Sequence, residues 1–528
     1  MALAAALAGA AWAAPGGMAP LIPGRPLLCL EASDLSAALA ALDGSKPMAA
    51  WYATASYKAF LDTKLAQKLG ARLKEAEGLA GVGFNLKNLR TVAGGASVLA
   101  LYDIGALEFL YVSRLDPARF AASVLGPLRG KFDRRLEKGL TWYVKAREDG
   151  ALEFAFALVG DLLFVSNRAQ RLEAAVALPG AGGAGSLARD PSYVRACGLD
   201  LEGFDFRLFL DQQRINASSY FRAYWLFRNA GELGWIESSL LSAKLGDGGL
   251  EERRLFLPVA STGASTAPAE APLAALCSTL PGTLPHVSLA ARPSQDDVVA
   301  AICDEVAGVA RPATAGSPAA RLVAGLGAAL PESGFDALVR VVGPLPGGDD
   351  YYLSVPRAVV LFGPAASAEL SAGLQKVLGR WLSVELTGEE TMPALAFVER
   401  DRIAGVAMPL ASGRGIYVAR GPDQLVLATE RTLAGQLVAK GGQPPFPGSA
   451  AWGTRPLSGL RFTDLRACKG LFRTLVSRVL PAGDGTRDYF LQDWLGLLDS
   501  FPGAGITSDR TWSEGGVVRQ VVTLAPVR

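Results

Sequence analysis

A pattern of turns, strands and helices that occurs twice along the chain is the feature that most constrains its fold. Pro23-Gly24 precedes a short apolar strand and a capped helix, and Pro281-Gly282 precedes the same pair of elements in the second half. Asp161 precedes a later strand and helix, and Asp423 precedes their counterparts. A repeat of this length indicates two copies of one folding unit.

Two further features recur in the same order near the end of each half. An aromatic pair followed by tryptophan occurs at Tyr220-Phe221 with Trp225, and again at Tyr489-Phe490 with Trp494. A hairpin turn and a final strand follow each of them. The turns are Asp247-Gly248-Gly249 and Glu514-Gly515-Gly516.

The join between the two copies has its own composition. Residues 260–271 read ASTGASTAPAEA, a tract too poor in large apolar side chains to build a core. We therefore expect a leader at 1–20, a first unit at 21–259, a linker at 260–271 and a second, homologous unit at 272–528.

Strand periodicity within a unit predicts the α+β class. Phe154 and Phe156 alternate with Glu153 and Ala155, as expected for a strand with one apolar face. Helical patterns follow many of the strands, at 117–128, 167–178 and 369–382. We expect two tandem units, each a mainly antiparallel sheet with helices packed on one face.

Polar residues before the apolar runs mark where the helices begin. Ser33 or Asp34 is expected to cap the first helix, and Ser294 its counterpart. Asn167 and Thr429 are expected to begin the later pair.

The start of the chain resembles a secretory signal. Residues 1–14 are mostly alanine and leucine without a charge, and Ala11-Trp12-Ala13 fits a small-x-small cleavage site. No basic residue precedes the run, so either the start lies upstream or the signal is atypical. We expect an exported protein, either periplasmic, extracellular or associated with the envelope, with no integral membrane span after the leader.

Charge and residue counts exclude several functions. The net charge of +2 does not favour a nucleic-acid partner, because proteins that bind nucleic acids normally carry a surplus of basic residues. One histidine and five separated cysteines without a C-x-x-C pattern give no metal site. We expect no metal and no cofactor.

Catalytic motifs do not occur in a productive context. Residues 180–185 match G-x-G-x-x-G but follow a helix, which predicts a loop and not a dinucleotide site. No serine lies in G-x-S-x-G. His286 is the only histidine available as a base, and Asp296-Asp297 lies in the first turn of a helix, where negative charge is stabilising. We therefore expect a protein that is not an enzyme.

An aromatic segment is the candidate ligand site. Tyr220, Tyr224, Trp225 and Phe227 crowd one predicted helix. A helix that is apolar all round is usually buried core. The alternative is an apolar groove in the first unit, because Tyr224 and Phe227 have no aromatic counterparts in the second.

The leader, the duplication and the strand GDLLFVSN at 160–167 resemble exported bacterial proteins known only as domains of unknown function. The resemblance implies no catalytic residues. The first hypothesis is a non-enzymatic exported binding or scaffold protein whose partner is an unknown protein or apolar ligand. A carrier or chaperone for an apolar envelope ligand is the second, and it predicts an apolar cavity above about 300 Å³. An unrecognised hydrolase is the third, and it predicts a cleft where His286 or two carboxylates converge.

Overall fold

The computed structural model divides the chain into two compact units. Unit 1 comprises Met1–Thr266 with Gly515–Arg519, and unit 2 comprises Ala267–Glu514 with Gln520–Arg528. The structure describes residues 17–43, 45–103, 106–137, 140–148, 153–200, 203–218, 234–246, 249–259, 269–309, 316–345, 355–389, 391–407, 415–439, 444–447, 449–480, 483, 487, 489–500, 505–514 and 517–525.

Unit 1 contains strands and short helices in alternation. Its strands are β1 (Leu28–Ala32), β2 (Ser97–Asp103), β3 (Glu108–Arg114), β4 (Asp133–Glu137), β5 (Leu140–Ala146), β6 (Glu153–Val159), β7 (Leu162–Ser166), β8 (Phe206–Leu210), β9 (Ile236–Gly246) and β10 (Gly249–Pro258). Its helices are α1 (Leu35–Leu42), α2 (Lys46–Ala53), α3 (Ala55–Leu61), α4 (Lys64–Ala80), α5 (Leu86–Val92), α6 (Pro117–Ala122), α7 (Ala169–Ala177), α8 (Pro191–Leu199) and α9 (Gln212–Ala217).

The second half of the chain begins with a short helix and ends with two paired strands, the last of which starts within the Gly515–Arg519 segment of unit 1. Its strands are β11 (His286–Ala291), β12 (Ala337–Val342), β13 (Arg357–Phe362), β14 (Val398–Arg400), β15 (Ile403–Ala407), β16 (Gly415–Arg420), β17 (Gln424–Ala428), β18 (Gly459–Asp464), β19 (Ile506–Glu514) and β20 (Val517–Ala525). Its α-helices are α10 (Leu273–Cys277), α11 (Gln295–Ala301), α12 (Pro318–Ala329), α13 (Ala368–Thr387), α14 (Arg431–Val438), α15 (Leu465–Val479) and α16 (Leu495–Ser500).

The described strands follow the same order in the two units. In unit 1 the order is β10-β9-β8-β1-β2-β3-β7-β6-β5-β4. In unit 2 it is β20-β19-β18-β11-β12-β13-β17-β16-β15-β14. Every register given for these pairs is antiparallel, as the strand patterns predicted.

Both faces of each sheet are covered, so the expectation of helices on one face only is wrong. In unit 1, Val112 and Phe164 pack into one core, while Leu163 and Val165 belong to a second core on the opposite face. Unit 2 likewise has two cores. The physical reason lies in the central strands: all five residues of β17 are buried, which a sheet with one solvated face does not allow.

The connection from β3 to β4 also differs from its prediction. The helix expected over 117–128 ends at Ala122, because Ser123 is extended and begins a new turn. A Cβ on Gly126 would lie 2.3 Å from the carbonyl oxygen of Ala121, so only glycine fits this tight return. The matching connection in unit 2 carries the twenty-residue helix α13.

Candidate functional site

A cavity of about 840 Å³ lies within unit 1, between one face of the sheet and helices α1, α4 and α5. This volume is within the range of about 300–1,000 Å³ that is typical of small-molecule sites. The sheet face involved is the one that carries the second core of unit 1, described above.

Adjacent strands form the floor of the cavity. Leu30, Leu99, Tyr111, Val165 and Phe154 come from β1, β2, β3, β7 and β6, which are neighbours in the sheet. Successive side chains of a strand point to opposite faces. Every second residue of each of these strands therefore points to the side of the sheet that carries the cavity.

The walls come from helices whose apolar residues are three or four positions apart. Leu35 and Leu39 of α1 line one side, Leu73 and Ala76 of α4 a second, and Leu89 of α5 a third. This spacing places the side chains on one face of each helix. The walls are therefore apolar because α4 and α5 are amphipathic and α1 carries only one polar residue, Ser36.

The ends of these helices are fixed by local hydrogen bonds. Asp34 accepts a hydrogen bond from the amide of Ala37 at 2.9 Å and caps α1. Asn85 caps α5 through the amide of Asn88 at 3.0 Å. These caps fix the residues at which α1 and α5 begin, and they thereby help to position two walls of the cavity.

Several cavity residues remain in contact with solvent. Leu30, Leu73, Leu89, Leu99 and Leu107 are between 36% and 46% exposed although all five line the cavity. Contiguous exposed apolar surface usually marks a binding site. The cavity is thus open to solvent and lined by leucines that an apolar ligand would cover.

The rim of the cavity at Leu107 has a strained backbone. Leu107 has a φ of 50°, in the left-handed region that residues with a Cβ rarely adopt. Asn167 holds this turn: its Oδ1 accepts from the amide of Phe109 at 2.9 Å, and its Nδ2 donates to the carbonyl oxygen of Leu107 at 3.0 Å. Strain of this kind concentrates at functional sites.

The polar groups in the walls are used structurally. Glu153 accepts a hydrogen bond from the amide of Ala169 at 2.9 Å. The hydroxyl of Tyr111 donates to the carbonyl oxygen of Val92 at 3.3 Å, and burial raises the pKa of Tyr111. These contacts position the cavity walls and supply no activated nucleophile or base.

The four site residues expected from sequence, Tyr220, Tyr224, Trp225 and Phe227, lie outside the residues that the structure describes. The sequence reasoning missed the cavity residues themselves. Their signal was present as apolar positions at helical spacing in 35–92, next to alternating positions in β2 and β3.

His286, the candidate base, lies on β11 in unit 2. Its Nδ1 is 2.8 Å from the Oγ1 of Thr463. Burial, with the nearby charge of Arg461, lowers the pKa of His286, and the hydrogen-bond partner of its ring among the described residues is Thr463. His286 is therefore a half-buried histidine that is hydrogen-bonded to the neighbouring strand β18.

Carboxylates were the other candidates for acid–base chemistry. Asp297 forms a capping box with Ser294 at the start of α11, as the sequence predicted. Glu31, on β1, is buried, and its carboxylate accepts hydrogen bonds from the amide of Met18 at 2.9 Å and the hydroxyl of Tyr193 at 2.6 Å. Burial raises the pKa of Glu31, yet both contacts tie chain segments together and belong to no cavity described above.

The described residues contain no group of three or more His, Cys, Asp and Glu side chains arranged to hold a metal ion. No described helix combines the length and the hydropathy that crossing a membrane requires.

Comparison with protein-family models and with curated proteins finds no match, in line with the expectation that no characterised family is recognised. Among solved structures, crystal form IV of TP0453 covers 47% of this chain and 83% of its own, at 9% identity and a TM-score of 0.26. Crystal form I covers 48% and 82%, at 9% identity and a TM-score of 0.25. Similarity this weak leaves function to be argued from the chain's own residues.

Proposed function

We propose that the protein is a non-enzymatic binding protein that carries an apolar ligand in the unit 1 cavity. The observation that supports this most is the cavity of about 840 Å³ with five partly exposed leucines in its lining. Covering apolar surface contributes on the order of 25 cal/mol per Å². A ligand with an extended hydrocarbon portion gains most from such walls.

The proposal includes export. The alanine- and leucine-rich residues 1–14 support transfer into the periplasm or the extracellular space. An apolar molecule is poorly soluble in such an aqueous compartment. A protein that shields the molecule in a cavity would therefore act as its carrier.

The direct test fills the cavity. Leu99 lies on its floor, so Leu99→Trp should place an indole where the ligand would bind. Leu245→Trp on β9 is the matched control, because Leu245 is an exposed strand leucine of the same unit that does not line the cavity. Delipidated protein is titrated with a naphthylamine probe whose fluorescence rises in apolar surroundings.

We expect saturable binding to wild type and to Leu245→Trp, and a loss of about tenfold or more in affinity for Leu99→Trp, equal to about 1.4 kcal/mol. Equal binding by all three proteins would place the site elsewhere. Absence of saturable binding to the wild type would refute the proposed function.

We also propose that the two units are copies of one ancestral unit. The common strand order supports this, and so does the register. Cys29 lies between Ala100 and Phe209 in unit 1, and Val287 lies between Val341 and Phe462 in unit 2. Independent origin would have to reproduce ten strands in one order.

A further inference from the structure

A second, smaller depression adjoins the cavity of unit 1 and has the opposite character. This groove of about 360 Å³ lies between α1, α5 and α6. Its lining residues are Ser36, Ala40, Lys87, Arg90, Thr91 and Arg119. We call it the basic groove.

The apolar cavity and the basic groove share two helices. On α1, Leu39 lines the cavity and the next residue, Ala40, lines the groove. On α5, Leu89 lines the cavity and Arg90 lines the groove. Consecutive residues of a helix point about 100° apart, so each helix presents one side to each site.

Two side chains bind the backbone between these sites. Arg119 donates through Nη2 to the carbonyl oxygen of Ala93 at 3.0 Å and to the Oγ of Ser36 at 3.3 Å. Tyr111, on the cavity floor, donates to the neighbouring carbonyl of Val92. The backbone at Val92 and Ala93 therefore lies between Tyr111 on the cavity floor and Arg119 in the wall of the groove.

The groove carries surplus positive charge. Arg90 pairs with Asp43, but Lys87 and Arg119 form no ion pair among the residues that the structure describes. Lys87 and Arg119 are both exposed, so they can reach a bound anion without first leaving a carboxylate partner. Lysine and arginine beside an apolar pocket suit a carboxylate or phosphate head group.

We propose that the ligand is an anionic amphiphile whose hydrocarbon chain occupies the cavity and whose carboxylate or phosphate binds in the basic groove at Lys87 and Arg119. This inference rests on the proposed function and adds the chemical class of the ligand. The lining of the cavity offers no unpaired buried cation, so the charged end of the ligand stays at the solvent-exposed groove.

The test compares ligands that differ only in the head group. Delipidated full-length protein is titrated with palmitate and with cetyl alcohol, and separately with palmitoyl lysophosphatidate and monopalmitoylglycerol, at low ionic strength by probe displacement. We expect each anion to bind about tenfold or more tightly than its neutral partner, a difference that salt reduces. The tighter of the two anions identifies the source of the head group.

Variants assign the preference to the groove. Lys87→Gln with Arg119→Gln should remove most of the difference between palmitate and cetyl alcohol, because it weakens the binding of palmitate far more than that of the alcohol. The matched control is Arg134→Gln with Arg135→Gln, which removes two exposed cations of the same unit from β4 and should keep the full difference. Arg119→Lys keeps the positive charge but changes the hydrogen bonds of Arg119. This variant should retain most of the preference for palmitate over cetyl alcohol, which would show that the preference depends on charge and not on those hydrogen bonds.

The outcomes separate the two claims. Equal binding of anionic and neutral ligands would overturn this inference and leave the proposed function intact. No binding of any of the four would overturn both. If the double variant loses alcohol binding and has a lowered unfolding midpoint, Lys87 and Arg119 serve the stability of the fold and the inference is overturned. If the double variant is folded and keeps the full preference for the anion, the head group binds elsewhere.

Discussion

At the scale of single residues, the chain's one histidine provides an unusually clean probe of unit 2. His286 is half-buried on β11, next to Thr463 and Arg461 on β18. Burial is the main cause of its lowered pKa, with the positive charge of Arg461 second. Both effects disfavour the protonated ring in the folded state.

The lowered pKa predicts a specific pH dependence of stability. The unfolded chain binds a proton near the ordinary value of 6.5, while the folded chain binds it only at lower pH. The free energy of unfolding contributed by His286 is therefore complete above pH 6.5 and falls as pH drops towards the folded pKa. Urea unfolding of wild type and His286→Gln between pH 7.5 and 5 should show this loss in the wild type alone.

The imidazole resonance gives an independent check, because one histidine gives one titrating signal in the NMR spectrum. A midpoint below 6.5 is expected. A midpoint at or above 6.5, or parallel pH profiles for the two proteins, would contradict this account of His286.

Residue-level predictions from sequence succeeded where the signal is local. Asp34 and Ser294 cap their helices as predicted, since an N-cap needs only a short polar side chain before the helix. Thr429 was expected to cap α14, but the cap is Glu430, whose carboxylate accepts from the amides of Thr432 and Leu433. Asn167 binds the turn at Leu107 instead of a helix, a distant contact that no local pattern reports.

At the scale of elements, helix length explains why the cavity lies in unit 1. In unit 2, α13 presses Leu374, Leu378 and Trp381 into the core on the sheet face that corresponds to the cavity floor. In unit 1, the matching connection holds only the six-residue α6. The helices between β1 and β2 close the face incompletely, and the space left is the cavity.

This difference predicts unequal costs for the same substitution. Leu378→Ala should destabilise the protein by about 2–5 kcal/mol, because Leu378 is fully buried in the core under α13. Leu73→Ala on α4 should cost less than about 1 kcal/mol in ligand-free protein, since Leu73 is 46% exposed beside open space. Urea unfolding followed by circular dichroism compares the two variants, and equal losses would show that the cavity wall is packed as tightly as the core.

The cavity itself could not be predicted from sequence patterns. Periodicity predicts which side of α4 or α5 is apolar, and both helices are amphipathic as such patterns require. It does not predict how far the helix lies from the sheet, which depends on packing among several segments.

At the scale of the whole molecule, the internal repeat in the sequence was the main basis for the predicted fold. The order of turns, strands and helices suggested two similar units, and the described strands of the two units follow one order. The cavity of unit 1 was less predictable, because it depends on the lengths of helices in matching connections. We propose that duplication supplied two similar scaffolds, of which unit 1 acquired the ligand site.

The sequence of the proposed linker predicts where a protease will act. Residues 260–271 are rich in small side chains and carry no lysine or arginine. Elastase, which cleaves after small residues, should cut native protein first in this segment and give two fragments of similar mass. N-terminal sequencing of the fragments locates the cut, and early cleavage within unit 1 or unit 2 would contradict the proposed division.

The central claim is that an apolar chain occupies the cavity of unit 1, and photo-crosslinking tests it most directly. Protein loaded with a fatty acid that carries a diazirine in its hydrocarbon chain is irradiated and digested, and the labelled peptides are identified by mass spectrometry. We expect labels at cavity residues of α1, α4, α5 and β2, competed by unlabelled palmitate and absent in Leu99→Trp. Labels confined to unit 2, or unaffected by palmitate and by Leu99→Trp, would contradict it.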